Sequence, residues 1–544
     1  MVAENYGYTA IENQKNKNLS NDFSDAPYYI EDVADVQLDE NQIDDLTPIQ
    51  KFYDGTNVFI TGSTGFLGKI LVEKLLRSCP TISSIYLLVR DKKGKNLEQR
   101  VDEMFDDVIF DRLRKECPKF RHKVVGVAGD CSLPELGLSL QDKRLLIDEI
   151  HIIFHVAATV RFDEKLETAV AINIRSPRDL LRLGREMSKL KSFIHVSTVY
   201  ANCTNNCIEE KIYPGAIDGE KMIMLTENVP GKILDDMTPR LLENYPNTYA
   251  YTKQIAEDIV RRESDNMPVG IFRPAIVIAT YKEPVKSWIN NMYGPTGVVA
   301  GVGVGLLRTL YCDPEVNANL VPVDMCVNSL ITAAWEVGES YRKDQKSYDI
   351  MVYNYESGKD QPINWGKFMH LSHHYGIEYP STKAIWYYSF KLYKYYPVYL
   401  FWTFLLHTLP ALLADTVLFC LGKQPRLMAA YKKVHKFSSV ISYFCTREWD
   451  VRSDSLRRQQ ERMCDKDREL FFSDLKQLDW DEYYKTYCKG VRQYLLQDPL
   501  ETLEVAQTKW RRLYFAHQAV KFFSGFGLMA MAYWLFETCI YLIV

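Results

Sequence analysis

Val58–Lys69 reads VFITGSTGFLGK, an apolar strand-like run followed by glycines at Gly62, Gly65 and Gly68. A buried parallel strand over Asn57–Thr61 would feed a tight turn. The glycines of that turn let the backbone approach a pyrophosphate, and a helix starting near Phe66 would aim its positive end at the anion. The residues of the turn that would touch such a ligand are Thr61, Gly62, Thr64, Gly65, Phe66, Leu67 and Gly68. A glycine turn can also serve close packing alone, so the reading needs a second signal.

Outward from the turn, the chain alternates strand-like and helix-like segments. Ser84–Val89 (SIYLLV), residues 123–127, 151–155, Ser192–Val196 and 269–272 read as further strands. Helical stretches separate them, so the connections should be right-handed crossovers in a doubly wound parallel α/β sheet of Rossmann type. The second strand ends in Arg90, Asp91, Lys92 and Lys93. Arg90 offers a planar fork to the 2′-phosphate of NADP, whereas Asp91 would suit the free ribose hydroxyl of NAD; the reading adopted is NADPH. Asp130 follows the third strand, and Ala157 lies after the fourth, in HVAATVRF, where it would line the middle of the cofactor.

NTYAYTK (Asn247–Lys253) places Tyr249 and Lys253 four residues apart, on one face of a helix. A lysine beside a tyrosine would lower the phenol pKa toward neutrality and free its proton for a carbonyl oxygen. Lys253 could also hold the cofactor ribose. In IHVSTVY (Ile194–Tyr200) an apolar strand ends at Ser197 and Thr198, where ligands of open α/β sheets bind and a hydroxyl could donate to a substrate carbonyl. Each pattern alone is common. Their order along one chain resembles the extended short-chain dehydrogenase/reductase superfamily in its TGxxGxxG variant, in which Asp130 would occupy the adenine-contacting position.

At 544 residues the chain is too long for one Rossmann unit, and a net charge of −4 argues against a nucleic-acid footprint. Its 12 cysteines show no C-x-x-C, and Cys203 and Cys207 lack partners arranged for zinc, so no metal is expected. Residues 1–46 are acidic and amide-rich, without the apolar core of a signal peptide, and read as a disordered lead-in. Residues 519–544 form an apolar run long enough to cross roughly 30 Å of hydrocarbon, with Lys509, Arg511 and Arg512 before it. That pattern reads as a tail anchor with the catalytic part in the cytosol; a buried or lipid-lying helix is the alternative, because Lys521 and Glu537 fall inside. A second aromatic and apolar region, Trp386–Cys420, contains Pro397, His407, Pro410 and Asp415. Those residues make a simple span doubtful; the reading is a monotopic or re-entrant element beside an apolar channel, or else a core helix pair.

Farther along, LLHTLPALLAD, LGKQPRLMAAYKKVHK, FCTREWDVRSDSLR and LDWDEYYKTYCKGVRQYLL, within Leu405–Leu496, resemble the C-terminal domain of the eukaryotic fatty acyl-CoA reductases. TGSTGFLGK, HVSTVYAN and IFRPAIV match the same family, in its insect-like members. The resemblance implies reduction of a long-chain acyl-CoA to a primary fatty alcohol with two NADPH. In it Tyr249 and Lys253 would be catalytic and Thr198 rather than Ser197 the partner hydroxyl; Arg273, after the sixth strand, would lie near the nicotinamide or else be a buried structural arginine. It also implies a reductase domain over 54–375, a helical domain over 380–500 and the anchor at 519–544. The membrane would be that of the endoplasmic reticulum, with the peroxisomal membrane as alternative. The oligomeric state is left open. A membrane-bound reductase of the 3β-hydroxysteroid dehydrogenase type, and a non-catalytic nucleotide-binding scaffold, are the competing readings.

Overall fold

The computed structural model describes residues 45–91 and 94–543. Most of the acidic lead-in, together with Lys92 and Lys93, lies outside the described residues.

Seven strands form one wholly parallel sheet: β1 (Asn57–Thr61), β2 (Ser84–Val89), β3 (Val124–Ala128), β4 (Ile152–His155), β5 (Ser192–Val196), β6 (Val269–Pro274) and β7 (Met351–Tyr355), in the spatial order β7-β6-β5-β4-β1-β2-β3. The first six are the strands expected from sequence. The seventh, MVYNY, is an edge strand of mixed polarity that carries no clean periodicity and pairs with β6 from Met351 opposite Gly270 onward. Strand order reverses between β1 and β4, which opens a crevice at the carboxyl ends of those strands.

Both faces of the sheet are covered, as a parallel sheet requires. Val58 and Ile60 of β1 pack with α1 (Phe66–Ser78), whereas Phe59 packs on the opposite side with Leu180 and Leu181 of α2 (Ser176–Arg185) and Val260 of α3 (Thr248–Glu263). Side chains alternate across a strand, so an unbroken apolar run serves two cores at once. The long α4 (Val323–Lys343) joins α1 on the first side.

The C-terminal helices extend that first core. Tyr483 and Tyr487 of the helix Trp480–Gly490 are buried, and their hydroxyls donate to Ala279 O (3.1 Å) and Thr296 Oγ1 (3.1 Å). Phe444, at the end of α5 (Leu427–Cys445), belongs to the same apolar cluster as the sheet.

Pro397 and Pro410 do not interrupt the aromatic region, contrary to the sequence reading. Pro397 sits in the first turn of Tyr396–Thr403, where its missing N–H is harmless; a π-turn over Phe404–Thr408 precedes Pro410, and the rod runs on to Cys420. The last helix spans Leu503–Ile543, 41 residues, starting well before Ala519.

Candidate active site

Gly62 turns the chain with φ +74°, and a Cβ there would meet Ala157 N at 2.7 Å. At Gly68 a Cβ would fall 2.2 Å from Gly62 O. Only hydrogen fits at either position, so the turn is packed as close to α1 and to the β4 loop as backbone allows. No side chain caps α1 at Gly65, which leaves its first-turn N–H groups for an anion; Gly65 is exposed, with Thr64, Phe66 and Leu67 partly so.

Thr61, expected at the cofactor, is wholly buried and serves instead from behind. Its hydroxyl accepts from Ala157 N (3.2 Å) and meets His155 Nδ1 (2.8 Å), which ties the glycine turn to the loop carrying Ala157. Arg90 is exposed at the carboxyl end of β2. Asp130 holds the turn after β3, its carboxylate accepting from Ser132 N at 2.8 Å.

Across the crevice, Asn247 caps α3 by accepting from Ala250 N (2.8 Å), which sets Tyr249 in the first turn and Lys253 one turn on. Lys253 is buried and donates to Val196 O at 2.7 Å, bolting the helix to the end of β5. Burial lowers its pKa to about 8, against the pull of Glu257. Tyr249 keeps part of its surface exposed, yet its phenol oxygen is deep enough that burial pushes its pKa up to about 12; the neighbouring Thr198 hydroxyl opposes that rise. The expected lowering by Lys253 is therefore corrected: Lys253 spends a donor on Val196 O, and desolvation decides the phenol's proton affinity. Tyr249 is a neutral hydrogen-bond donor at ordinary pH.

The two hydroxyls at the end of β5 face different ways. Ser197 donates to Glu257 Oε1 at 2.5 Å, inside the protein. Thr198 opens the following turn, accepting from Tyr200 N and donating to Pro274 O, both at 3.3 Å, beside Tyr249. Glu257 holds more than Ser197: Asn202 donates to it (3.2 Å), and Arg273 forms a fork with it at 2.8 and 2.6 Å. The remaining donors of Arg273 go to Glu209 O, Lys211 O and Asn354 Oδ1. All five of its N–H groups are thus committed within the protein, which is the buried structural role and not the place at the nicotinamide.

Several site residues were not singled out in the sequence. Glu257 is two turns past Tyr249 on the same helix, an i, i+4 neighbour of Lys253, and that spacing was its signal. Asn173 lies on a π-turn (Ala171–Arg175), where its side chain accepts from Thr159 N (3.0 Å) and donates to Thr252 Oγ1 (3.0 Å). His155 and His195 stack at 5.5 Å under Lys253; burial drives the first to a pKa of about 3 and the second well below the usual imidazole value, so the floor is uncharged. An aromatic wall stands at the mouth: Phe162 lies 5.8 Å from Tyr249 and 5.6 Å from Phe444, ring centre to ring centre. Lys436 pairs with Asp163 at 2.8 Å and fixes α5 across that mouth.

The expected apolar channel is not the cavity found among the C-terminal helices. That cavity, bounded by Val299, Met369, Tyr388, Val491 and Trp510, measures about 60 Å³, well under the roughly 300–1,000 Å³ of ligand-enclosing pockets.

A parallel sheet of this order, a glycine turn at its switch point and a Thr–Tyr–Lys cluster facing it define a reductase that takes a nicotinamide dinucleotide. Two family models, both described as "Male sterility protein", match residues 60–330, as an NAD-binding domain, and 406–498. The chain is 38% identical over 507 residues to "Fatty acyl-CoA reductase wat" of Drosophila melanogaster, covering 93% of this chain and 96% of that protein. It is also 38% identical over 468 residues to "Fatty acyl-CoA reductase 1" of Homo sapiens, covering 86% and 90%. Among solved structures, the terminal R domain of the myxalamid PKS-NRPS pathway superposes with a TM-score of 0.53 at 20% identity, over 80% of this chain and 90% of that one, a likeness of fold. The chain belongs to the fatty acyl-CoA reductase family.

Proposed function

We propose that the protein reduces long-chain acyl-CoA to a primary fatty alcohol and free CoA, using NADPH, from a membrane-anchored reductase domain (54–375) joined to a helical domain (380–500). Family membership supports the substrate and product. The observation that carries the chemistry is the Thr198–Tyr249 hydroxyl pair held over the carboxyl end of β5 by buried Lys253.

The residues present fit the cofactor. The glycine cradle, which a Cβ would fill at Gly62 and Gly68, and the uncapped start of α1 suit a pyrophosphate; Arg90 at the end of β2 suits a 2′-phosphate. Ala157, Asp130 and Lys253 complete the set. When bound, each dinucleotide would supply one hydride, so two are needed: one for the thioester carbon, whose C–S bond then breaks with CoA leaving as the thiolate, and one for the carbon of the aldehyde so formed.

The chain's own groups handle oxygen and protons. Tyr249 donates to the carbonyl oxygen, and the Thr198 hydroxyl turns its one hydrogen from Pro274 O to the same atom; both hydrogen bonds strengthen as negative charge gathers there. A phenol with a pKa of about 12 is still far more acidic than a primary alcohol, so proton transfer from Tyr249 to the product alkoxide runs downhill. Lys253 acts from behind as the bolt between α3 and β5 and as a cation under the site. Neutral His155 and His195 add no competing charge. Phe162 and Phe444 give the acyl chain an apolar wall beside the reacting oxygen.

The test is to incubate the full chain, in membranes, with NADPH and a chain-length series of acyl-CoAs, and to detect alcohol by mass. Palmitoyl-CoA should yield hexadecanol, and a steroid substrate should yield nothing. Tyr249→Phe should abolish turnover while leaving NADPH binding intact. Absence of alcohol at every chain length would end the proposal.

A further inference from the structure

Helices Tyr396–Thr403 and Leu409–Cys420, with the π-turn between them, form a rod whose two sides differ completely. On the inner side Thr403, His407 and Asp415 each have a protein partner. Thr403 Oγ1 meets Thr309 Oγ1 at 2.9 Å; His407 accepts from Arg308 N (2.9 Å) and meets His435 (3.2 Å). Asp415 accepts from the backbone N–H groups of Arg426, Leu427 and Met428 at 2.8–3.0 Å, capping α5. Both ionisable residues that made the sequence look unlike a membrane element thus point inward. On the outer side, from Tyr395 to Leu421, no exposed residue is charged, and Phe404 (55% exposed), Leu413 (60%) and Phe419 (73%) stand in the open. A contiguous exposed apolar strip of this length marks an interaction surface.

Two observations say what covers it. The strip runs into a basic turn, where Lys423 and Arg426 are exposed, followed on α5 by exposed Lys432 and Lys433. Anionic headgroups complement those cations, which lie where the apolar strip ends. The strip also adjoins the base of the terminal helix. Trp386 donates to His517 Nδ1 (3.1 Å), Tyr387 lies 4.8 Å from Trp510 and 5.1 Å from Tyr514, and Arg308, the backbone partner of His407, stacks on Trp386 at 5.2 Å. The apolar stretch of the terminal helix beyond that clasp is exposed along its length.

We propose that Tyr395–Leu421 is a monotopic docking surface for an anionic lipid bilayer, with its apolar strip in the acyl boundary and the basic turn among the headgroups. The proposal rests on the membrane reading of the terminal helix. It gives that reading a geometry: α5, the partner of the docked rod, ends in Phe444, whose ring meets Phe162, the neighbour of Tyr249, so one helix links the docked face to the catalytic site.

The test uses the full chain reconstituted in vesicles of phosphatidylcholine and phosphatidylserine, with an environment-sensitive fluorescent amino acid placed singly at Val417, at Leu528 or at the remote exposed Leu140. Lipids brominated on the acyl chain should quench the first two and spare the third. Quenching at Leu528 without quenching at Val417 would overturn the docking surface and leave the anchor standing; quenching at neither would remove both. A Val417 probe shielded without lipid quenching, together with cross-links between two copies through the strip, would assign the surface to self-association and equally overturn the proposal. Leu413→Glu with Phe419→Glu should lose the Val417 quenching while NADPH binding, which reports folding, persists.

Discussion

The two hydroxyls at the end of β5 are adjacent in sequence and opposite in role, which makes them the sharpest test of the site. Thr198→Val keeps the branched shape and removes the oxygen shared among Tyr249, Tyr200 N and Pro274 O. Loss of one donor aimed at a developing oxyanion lowers kcat by about 10²–10³, or about 2.7–4 kcal/mol. Ser197→Ala instead removes a 2.5 Å hydrogen bond to the buried Glu257 carboxylate. A hydrogen bond to a charged group contributes about 1.5–3 kcal/mol, so this variant should lose thermal stability. Glu257 still has Arg273 and Asn202, and kcat should fall by less than about tenfold, under about 1.4 kcal/mol. The assay follows nicotinamide absorbance with saturating acyl-CoA, quantifies alcohol by mass, and records a thermal denaturation midpoint for each variant. If Ser197→Ala loses as much kcat as Thr198→Val with an unmoved midpoint, Ser197 is the hydroxyl that touches substrate, and the geometry has been misread.

Activity should decline as pH rises through about 8, where Lys253 gives up its proton, and Lys253→Arg should move that decline upward, measured as kcat/KM against pH. The fold does not fail with it: the folded pKa of Lys253 lies below the unfolded 10.5, so the unfolded chain binds more protons between about 8 and 10.5 and stability from this group rises with pH there. Gly68→Ala would drive a Cβ to 2.2 Å from Gly62 O and must displace the turn; NADPH affinity measured by fluorescence should fall by at least about tenfold, and an unchanged affinity would refute the cradle. Arg90→Glu should raise KM for NADPH by about tenfold or more while leaving KM for NADH nearly unchanged, since only the 2′-phosphate needs the guanidinium.

The sheet was legible because buried parallel strands are written as short apolar runs punctuated by glycine and polar turns; β1, β2 and β5 fall on the residues read from sequence. β7 was not legible: an edge strand is held by its neighbour β6, and its own pattern says little. Tyr249 and Lys253 could be chosen because chain order and spacing on a helix are linear properties, whereas Thr198 was set apart from Ser197 only by the family resemblance. Arg273 could not be judged the same way. An arginine at a strand end can reach ligand or carboxylate, and only the arrival of Glu257 from another element committed all its donors. The same holds for Asp415, whose charge argued against a lipid surface until it was found capping α5.

Sequence by itself determined the alternation of elements, the glycine turn, the residue types of the catalytic cluster and the apolar lengths near the C-terminus. These follow from local sterics and from period, which need no partner. Tertiary structure decided which hydroxyl meets Tyr249, that burial rather than Lys253 sets its proton affinity, and which side of the Tyr396–Cys420 rod is apolar. Those outcomes depend on desolvation and on contacts between residues far apart in the chain, and a linear pattern carries neither.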